Sequence, residues 1–362
     1  MQLTSGTRII VYGAGYCGAM FVELLLNNHI KPAYVFDKDK DKQKQTVFGI
    51  RIMEPHYEPT DIVVVSILTK GKVFQSICKY LVSLGYLEEQ IVHVYDLDRQ
   101  EDLFYKQRLV IQPDRDYVTN NLHQWKQLES ELADEESCQV LQSAMLFLQR
   151  DTDVDFQSHA LEEQYFAYDI YRKRDDEFVV DCGGFKGDVM KLFLDNHKGR
   201  FSQYILIEPD KKYNEYIEQN IGKYDKNRIH IVNKALSNEN TMFYVSNYMN
   251  MNSVVTKERT AYSSQKVEST RLDDLLTDEK CTFLKIDIEG FELEMLQGAK
   301  DFIVRNTPVV AIAAYHHEDD VLNISRVLLE YNSEYTLFLR SYMNYQEMVL
   351  YAIPQERLLG GN

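Results

Sequence analysis

Two glycine-rich turns, each entered from a β-branched run and left through a helical pattern, constrain the fold of this chain more than any other feature. The first is GAGYCG at 13–18, after the apolar run RIIVY at 8–12; the second is GGFKGD at 183–188, after FVVDC at 178–182. A strand, a tight glycine turn and a helix in that order open a parallel α/β sheet, whose two faces must both be covered. Openings so far apart call for two sheets, and 362 residues are more than one hydrophobic core usually serves.

The apolar periodicity sorts the chain into three parts. Residues 1–97 read as a smaller Rossmann-like α/β domain, with strands at 8–12, 33–36, 62–67 and 91–95 and helices after Gly18 and at 72–84. Residues 98–174 read as a helical connector, because apolar residues recur at helical spacing over 122–132 and 140–148 and the β-branched runs disappear. Residues 175–362 read as a seven-stranded doubly wound α/β sheet, with strands at 178–182, 204–207, 229–233, 282–286, 309–313, 335–339 and 348–353. Strand-like pieces at 241–246 and 266–270 interrupt it.

Charge and cysteine usage limit the partners. Forty Lys and Arg against 56 Asp and Glu give a net charge of −16, which repels nucleic-acid phosphates and anionic lipid. No apolar run approaches the roughly 18 to 20 residues of a membrane span, and the N-terminus runs directly into a strand, so a cytoplasmic chain is expected. The five cysteines are scattered and never spaced CxxC, which signals neither a disulfide framework nor a thiolate zinc site.

In the first unit, Gly13, Gly15 and Gly18 form GxGxxG and Asp37 ends the next strand. Such glycines let backbone approach a pyrophosphate, and such an acid can accept ribose hydroxyls. A nucleotide or nucleotide-sugar site and a purely structural turn both fit. The run DKDKDKQK at 37–44 reads as a solvated surface.

The second unit is richer. Asp181 precedes a turn containing Gly183, Gly184 and Gly187, and Glu208 closes the following strand, an arrangement suited to an adenosine ribose; NAD and S-adenosylmethionine both remain candidates. Downstream, FLKIDIEGFELEMLQGAKDFI ends a strand with Asp287 and Glu289, and Gly290 permits the turn into an amphipathic helix. Two carboxylates at a strand's C-terminal end suit a cationic group, a metal or a proton.

The ordered set VVDCGGFKGD, LIEPDKKYNEYIEQNI and LKIDIEGFELEMLQGA resembles the FkbM family of S-adenosylmethionine-dependent methyltransferases, and the similarity extends over about 132–354 through EEQYF, AAYHHEDD and FLRSYMNYQEMVLYAIP. The resemblance implies a class I methyltransferase-type sheet, S-adenosylmethionine as cofactor, and a Rossmann-like unit ahead of it. It places Gly183, Gly184 and Gly187 in the cofactor loop, Glu208 at the ribose, Asp181 orienting the loop or the cofactor's ammonium, and Asp287 with Glu289 near the methionine end and the acceptor. Tyr165, with Glu162 and Gln164, falls in a segment that covers the cofactor, although core packing suits Tyr165 equally. Lys186, Val189 and Ser341 depart from the pattern.

His316 matches a Tyr-His pair of the family, and a near-neutral pKa suits a general base beside Asp287. If His316 and His317 lie on a strand, they face opposite ways and only one enters the site. No metal site is assigned, since HHEDD lacks a second His at helical spacing. The expected function is O-methylation of a sugar hydroxyl in a nucleotide-sugar or glycan precursor, with a small-molecule or glycan acceptor and oligomerisation left open. Competing readings are an NAD-dependent nucleotide-sugar dehydrogenase or epimerase, for which no TyrxxxLys pair follows, and a noncatalytic nucleotide-binding module.

Overall fold

Alternating residues of β1 (Ile9–Tyr12) divide between two buried clusters, Ile9 and Val11 in one and Ile10 and Tyr12 in the other. This is the period-two signature of a strand covered on both faces. α1 (Tyr16–Asn27) supplies Val22 and Leu25 to the first cluster, and α2 (Lys72–Leu84) supplies Leu81 to the second. The structure, a computed structural model, describes residues 8–67, 72–94, 97, 116–149, 154, 156, 159–160, 164–222, 224–247, 253–257, 259, 263–342 and 345–359. Glu162 and 98–115 of the expected connector lie outside them. The chain divides into two units, which are described separately.

In the first unit, β1 pairs in parallel with β2 (Tyr34–Phe36) and β5 (Ile62–Val65), and β6 (Ile91–His93) extends the sheet. Two strands were not expected. β3 (Thr46–Val47) and β4 (Ile50–Met53) form a hairpin around Phe48 and Gly49, both at positive φ as a tight two-residue turn requires. The sheet order is β3-β4-β2-β1-β5-β6.

The second unit begins with the short α3 (Tyr117–Asn120), then α4 (Leu122–Glu131) and α5 (Glu135–Leu148), and continues into β7 (Phe178–Cys182), α6 (Asp188–Asn196), β8 (Gln203–Ile207), α7 (Asn214–Ile221) and β9 (Ile229–Val232). An inserted sheet of β10 (Ala235–Leu236), β11 (Met242–Asn247), β12 (Ser253–Thr256) and β13 (Ser263–Thr270) follows, in order β10-β13-β11-β12. The two strand-like pieces at 241–246 and 266–270 therefore belong to a separate sheet. The chain returns through α8 (Leu272–Leu275), β14 (Phe283–Ile286), α9 (Glu292–Gln297), α10 (Lys300–Asn306), β15 (Val309–Ala313), α11 (Asp320–Tyr331), β16 (Thr336–Ser341) and β17 (Met348–Ile353).

All seven strands expected for this unit form one sheet, ordered β16-β17-β15-β14-β7-β8-β9. β17 runs antiparallel to both of its neighbours, while β14, β15, β7, β8 and β9 pair in parallel. The chain leaves β7 toward β8 and β9, and later returns to β7's other side as β14. That reversal makes the C-terminal ends of β7 and β14 a topological switch point, where open α/β sheets leave a crevice for ligands.

The helices before β7 pack against β16. Arg340, 2% exposed, pairs with Asp134 at 2.6 Å and receives support from Ser137 Oγ. Asp134 also caps α5 by accepting the Ser137 N–H. Leu337 O accepts the Ala133 N–H, and the Leu339 N–H donates to Ser137 Oγ.

Candidate functional site

A cavity of about 300 Å³ opens at the β7/β14 switch point. Its floor depends on glycine. Gly183 has φ +86, and a Cβ there would lie 1.7 Å from the Asp287 carbonyl oxygen; one at Gly184 would strike the Leu206 side chain at 2.2 Å. The two loops can cross only because these positions carry no side chain. Gly183, Gly184, Phe185, Glu208, Tyr165, Asp287 and Glu289 all line the cavity.

Glu208 sits at the end of β8, where its two oxygens accept the N–H groups of Phe185 and Asp210, each at 2.9 Å. Burial raises its pKa to about 7 against the opposing pull of these two donors. Glu208 lines the cavity, and each of its oxygens keeps a further lone pair.

Asp181 does not line it. The residue is fully buried, 3.1 Å from Lys285 Nζ, and accepts the Tyr204 hydroxyl at 2.8 Å. Burial disfavours the charge on Lys285, but Asp181 and Asp287 outweigh it and hold the ammonium above its ordinary pKa. Lys285 Nζ donates to the Gly183 carbonyl at 2.6 Å. Asp181 is thus linked through Lys285 to the glycine loop. A lysine in the apolar run FLKI was the available signal for this buried pair.

On the β14 side, Asp287 Oδ2 accepts the Tyr165 hydroxyl at 2.7 Å, while its Oδ1 is buried with no hydrogen-bond partner. Tyr165, Phe185 and Glu289 have φ of +67, +47 and +57, and they are three of the seven non-glycine residues with positive φ among the described residues. Backbone in this region costs energy for a residue with a Cβ and gathers where a site needs a particular direction.

His316 and His317 lie in the loop after β15, not on a strand, so alternation does not separate them. His316 Nε2 is 3.8 Å from Asp287 Oδ1 and 3.7 Å from Glu289 Oε2, and Nδ1 is 3.2 Å from Glu292 Oε1. His317 Nε2 instead donates to Gly290 O. Burial opposes the His316 charge, but Glu292, Asp287 and Glu289 together lift its pKa to about 10. The expected general base needs a neutral imidazole, whereas the three carboxylates around His316 favour its protonated form. Glu292, 1% exposed at the start of α9, was missed because a glutamate in a helical run reads as solvated.

Residues 181–348 match the family model described as the methyltransferase FkbM domain. This segment is an FkbM methyltransferase domain. It spans the strands β7 to β16, with the cavity at their switch point. The crystal structure of methyltransferase FkbM from Methylobacillus flagellatus KT is similar over 96% of this chain and 90% of its own, at 21% identity and a TM-score of 0.69. An rRNA methylase from Streptococcus thermophilus aligns over 50% of this chain and 88% of its own (12% identity, TM-score 0.32). Aeropyrum pernix fibrillarin with bound S-adenosyl-L-methionine aligns over 50% and 67% (10% identity, TM-score 0.31). No curated protein matches the sequence.

Of the positions that depart from the FkbM pattern, Val189 lines the cavity and Lys186 lies over the Phe185 and Tyr216 rings, 4.9 and 5.6 Å from their centroids. Ser341 is buried at the end of β16. In the first unit, Gly13 and Gly15 form the β1 to α1 turn and Gly18 lies in the first turn of α1, where a Cβ would meet Gly13 O at 1.6 Å. Asp37 Oδ2 accepts the Ala14 N–H at 2.9 Å and Lys42 Nζ at 3.1 Å, and Oδ1 accepts the Asp39 N–H. Its carboxylate is committed to its own loop and to Lys42. Among the described residues no helix is long and apolar enough to cross a membrane.

Proposed function

We propose that this protein is an S-adenosylmethionine-dependent O-methyltransferase acting on a sugar hydroxyl. The observation that carries the cofactor assignment is Glu208: a carboxylate at the end of β8, fixed by two backbone N–H groups and facing a cavity floored by side-chain-free Gly183 and Gly184. That arrangement accepts paired ribose hydroxyls and admits backbone-close contact, so the residues present fit an adenosine group. Asp181, through Lys285, keeps the loop in place. Bound here, the cofactor supplies a methyl group on a sulfonium, already activated for in-line displacement.

The protein's own part is orientation and proton acceptance. The bound cofactor would supply the methyl group and keep the carbon–sulfur electron pair on sulfur, and a carboxylate at the Asp287 and Glu289 wall would take the acceptor's hydroxyl proton. Tyr165 holds Asp287 in place through its hydroxyl. The sugar acceptor rests on polar groups lining this wall and on the family's resemblance. The NAD-dependent alternative gains nothing from the first unit, whose Asp37 is engaged by Ala14, Asp39 and Lys42.

Isothermal titration of the full chain with S-adenosylmethionine and with its demethylated product tests the cofactor. Saturable binding of both, weakened by Glu208→Ala, is expected; absence of binding at millimolar ligand overturns the assignment. Incubation with labelled cofactor and a panel of nucleotide sugars tests the acceptor, and label found only in noncarbohydrate product rejects it.

A further inference from the structure

We propose that Asp287, Glu292 and His316 form a binding site for one divalent metal cation next to the cavity, whose lining Asp287 alone of the three shares. One ligand atom from each of the three lies within 4.8 Å of the others. Ligands about 2.0 to 2.2 Å from one ion stand roughly 3 to 4.4 Å apart, so small side-chain rotations close the shell.

Two further observations point to a cation. Glu292 is 1% exposed, and its Oε2 is buried with no hydrogen-bond partner; Asp287 Oδ1 is orphaned in the same way. A buried carboxylate oxygen without a donor is costly, and a shared cation satisfies both at once. The ion pair between His316 Nδ1 and Glu292 Oε1 at 3.2 Å does not, because it engages a different oxygen. Glu289 Oε2, 3.7 Å from His316 Nε2, brings a third carboxylate to the same imidazole. A divalent ion entering among these carboxylates displaces the ring proton of His316 and takes the nitrogen lone pair it frees.

A second cluster, Glu136, His159 and Asp169, shows the contrast. There Arg340 already stands 3.6 Å from Glu136 and 3.7 Å from Asp169, supplying the positive charge and repelling a metal. No such guanidinium pairs with Asp287, Glu292 or His316 among the ion pairs of the described residues. One nitrogen with carboxylate oxygens is a donor set for Mn²⁺, Fe²⁺ or Zn²⁺, not for soft Cu⁺. The cation's use, which rests on the methyl-transfer reading above, is to hold and polarise an acceptor oxygen beside Asp287; the binding itself does not depend on that reading.

The test uses the full chain, stripped with chelator, dialysed and titrated with Mn²⁺ while free ion is followed by electron paramagnetic resonance. A single Mn²⁺ per chain is expected, weakened about tenfold or more in His316→Ala and in Asp287→Asn with circular dichroism unchanged. No binding at millimolar Mn²⁺, or binding that both variants retain, overturns the site. Titration of the same samples with S-adenosylmethionine separates the two ideas. Cofactor bound without Mn²⁺ sinks the metal site alone; Mn²⁺ bound without cofactor upholds the metal site and sinks the methyltransferase assignment.

Discussion

The Tyr165 hydroxyl donates to Asp287 Oδ2 at 2.7 Å across 122 residues of sequence. Burial and the neighbouring Asp287 raise the phenol's pKa well above its usual value, so Tyr165 keeps its proton and remains a donor. The bond occupies one lone pair of Asp287 Oδ2 and fixes the orientation in which the remaining lone pairs meet a ligand. Tyr165→Phe is expected to lower kcat by about tenfold, the equivalent of roughly 1.4 kcal/mol, while KM for the cofactor changes little. Steady-state kinetics check this, and an unchanged kcat would deny Tyr165 its positioning role.

Glu208 predicts a pH dependence of stability. Its folded-state pKa is about 7 against an ordinary 4.5. Between those values the folded chain keeps a proton that the unfolded chain has released, so stability falls as pH rises through that window and levels off above it. Urea unfolding of the wild type and Glu208→Gln at several pH values should show their difference changing in this direction. Cofactor hydroxyls favour the ionised form, so binding near pH 6 should release a proton, measurable by titration calorimetry in buffers of different ionisation heat.

Gly183 permits no side chain. Gly183→Ala would place a Cβ 1.7 Å from the Asp287 carbonyl at φ +86, forcing β7 and β14 loops apart. Loss of cofactor binding is expected together with about 2 kcal/mol or more of destabilisation. Calorimetry and denaturant unfolding read the two effects, and wild-type values in both would contradict the close approach.

Asp134 answers the buried charge of Arg340 and caps α5. Asp134→Ala removes both contributions, although Glu136 and Asp169 remain within 4 Å of the guanidinium. A loss of about 2 to 3 kcal/mol is expected, below the cost of an unaided buried charge. Denaturant midpoints check it, and a change under about 0.5 kcal/mol, the scale of an ordinary surface substitution, would refute it.

The sequence is most informative where chemistry needs an unusual backbone. Gly183, Gly184 and Glu208 were legible because a glycine turn and a strand-end acid carry a spacing that ordinary packing does not, and the seven strands were legible from their apolar runs. Tyr165 and Lys285 were harder, since an aromatic or a lysine among apolar residues looks like packing until its partner, Asp287 or Asp181, arrives from a distant strand. Glu292 gave no signal, because helical charge normally faces water. His316 was found, but its protonation depends on three carboxylates assembled only by the fold.

The bonds from Leu337 O to Ala133 and from Leu339 N to Ser137 occupy the outer rim of β16. An open sheet edge is a template on which another chain can add a strand. At β16 these groups are already taken, and the residues around α5 serve as a stopper against sideways growth of the seven-stranded sheet. Association through β-strand addition at that rim would first have to dislodge them.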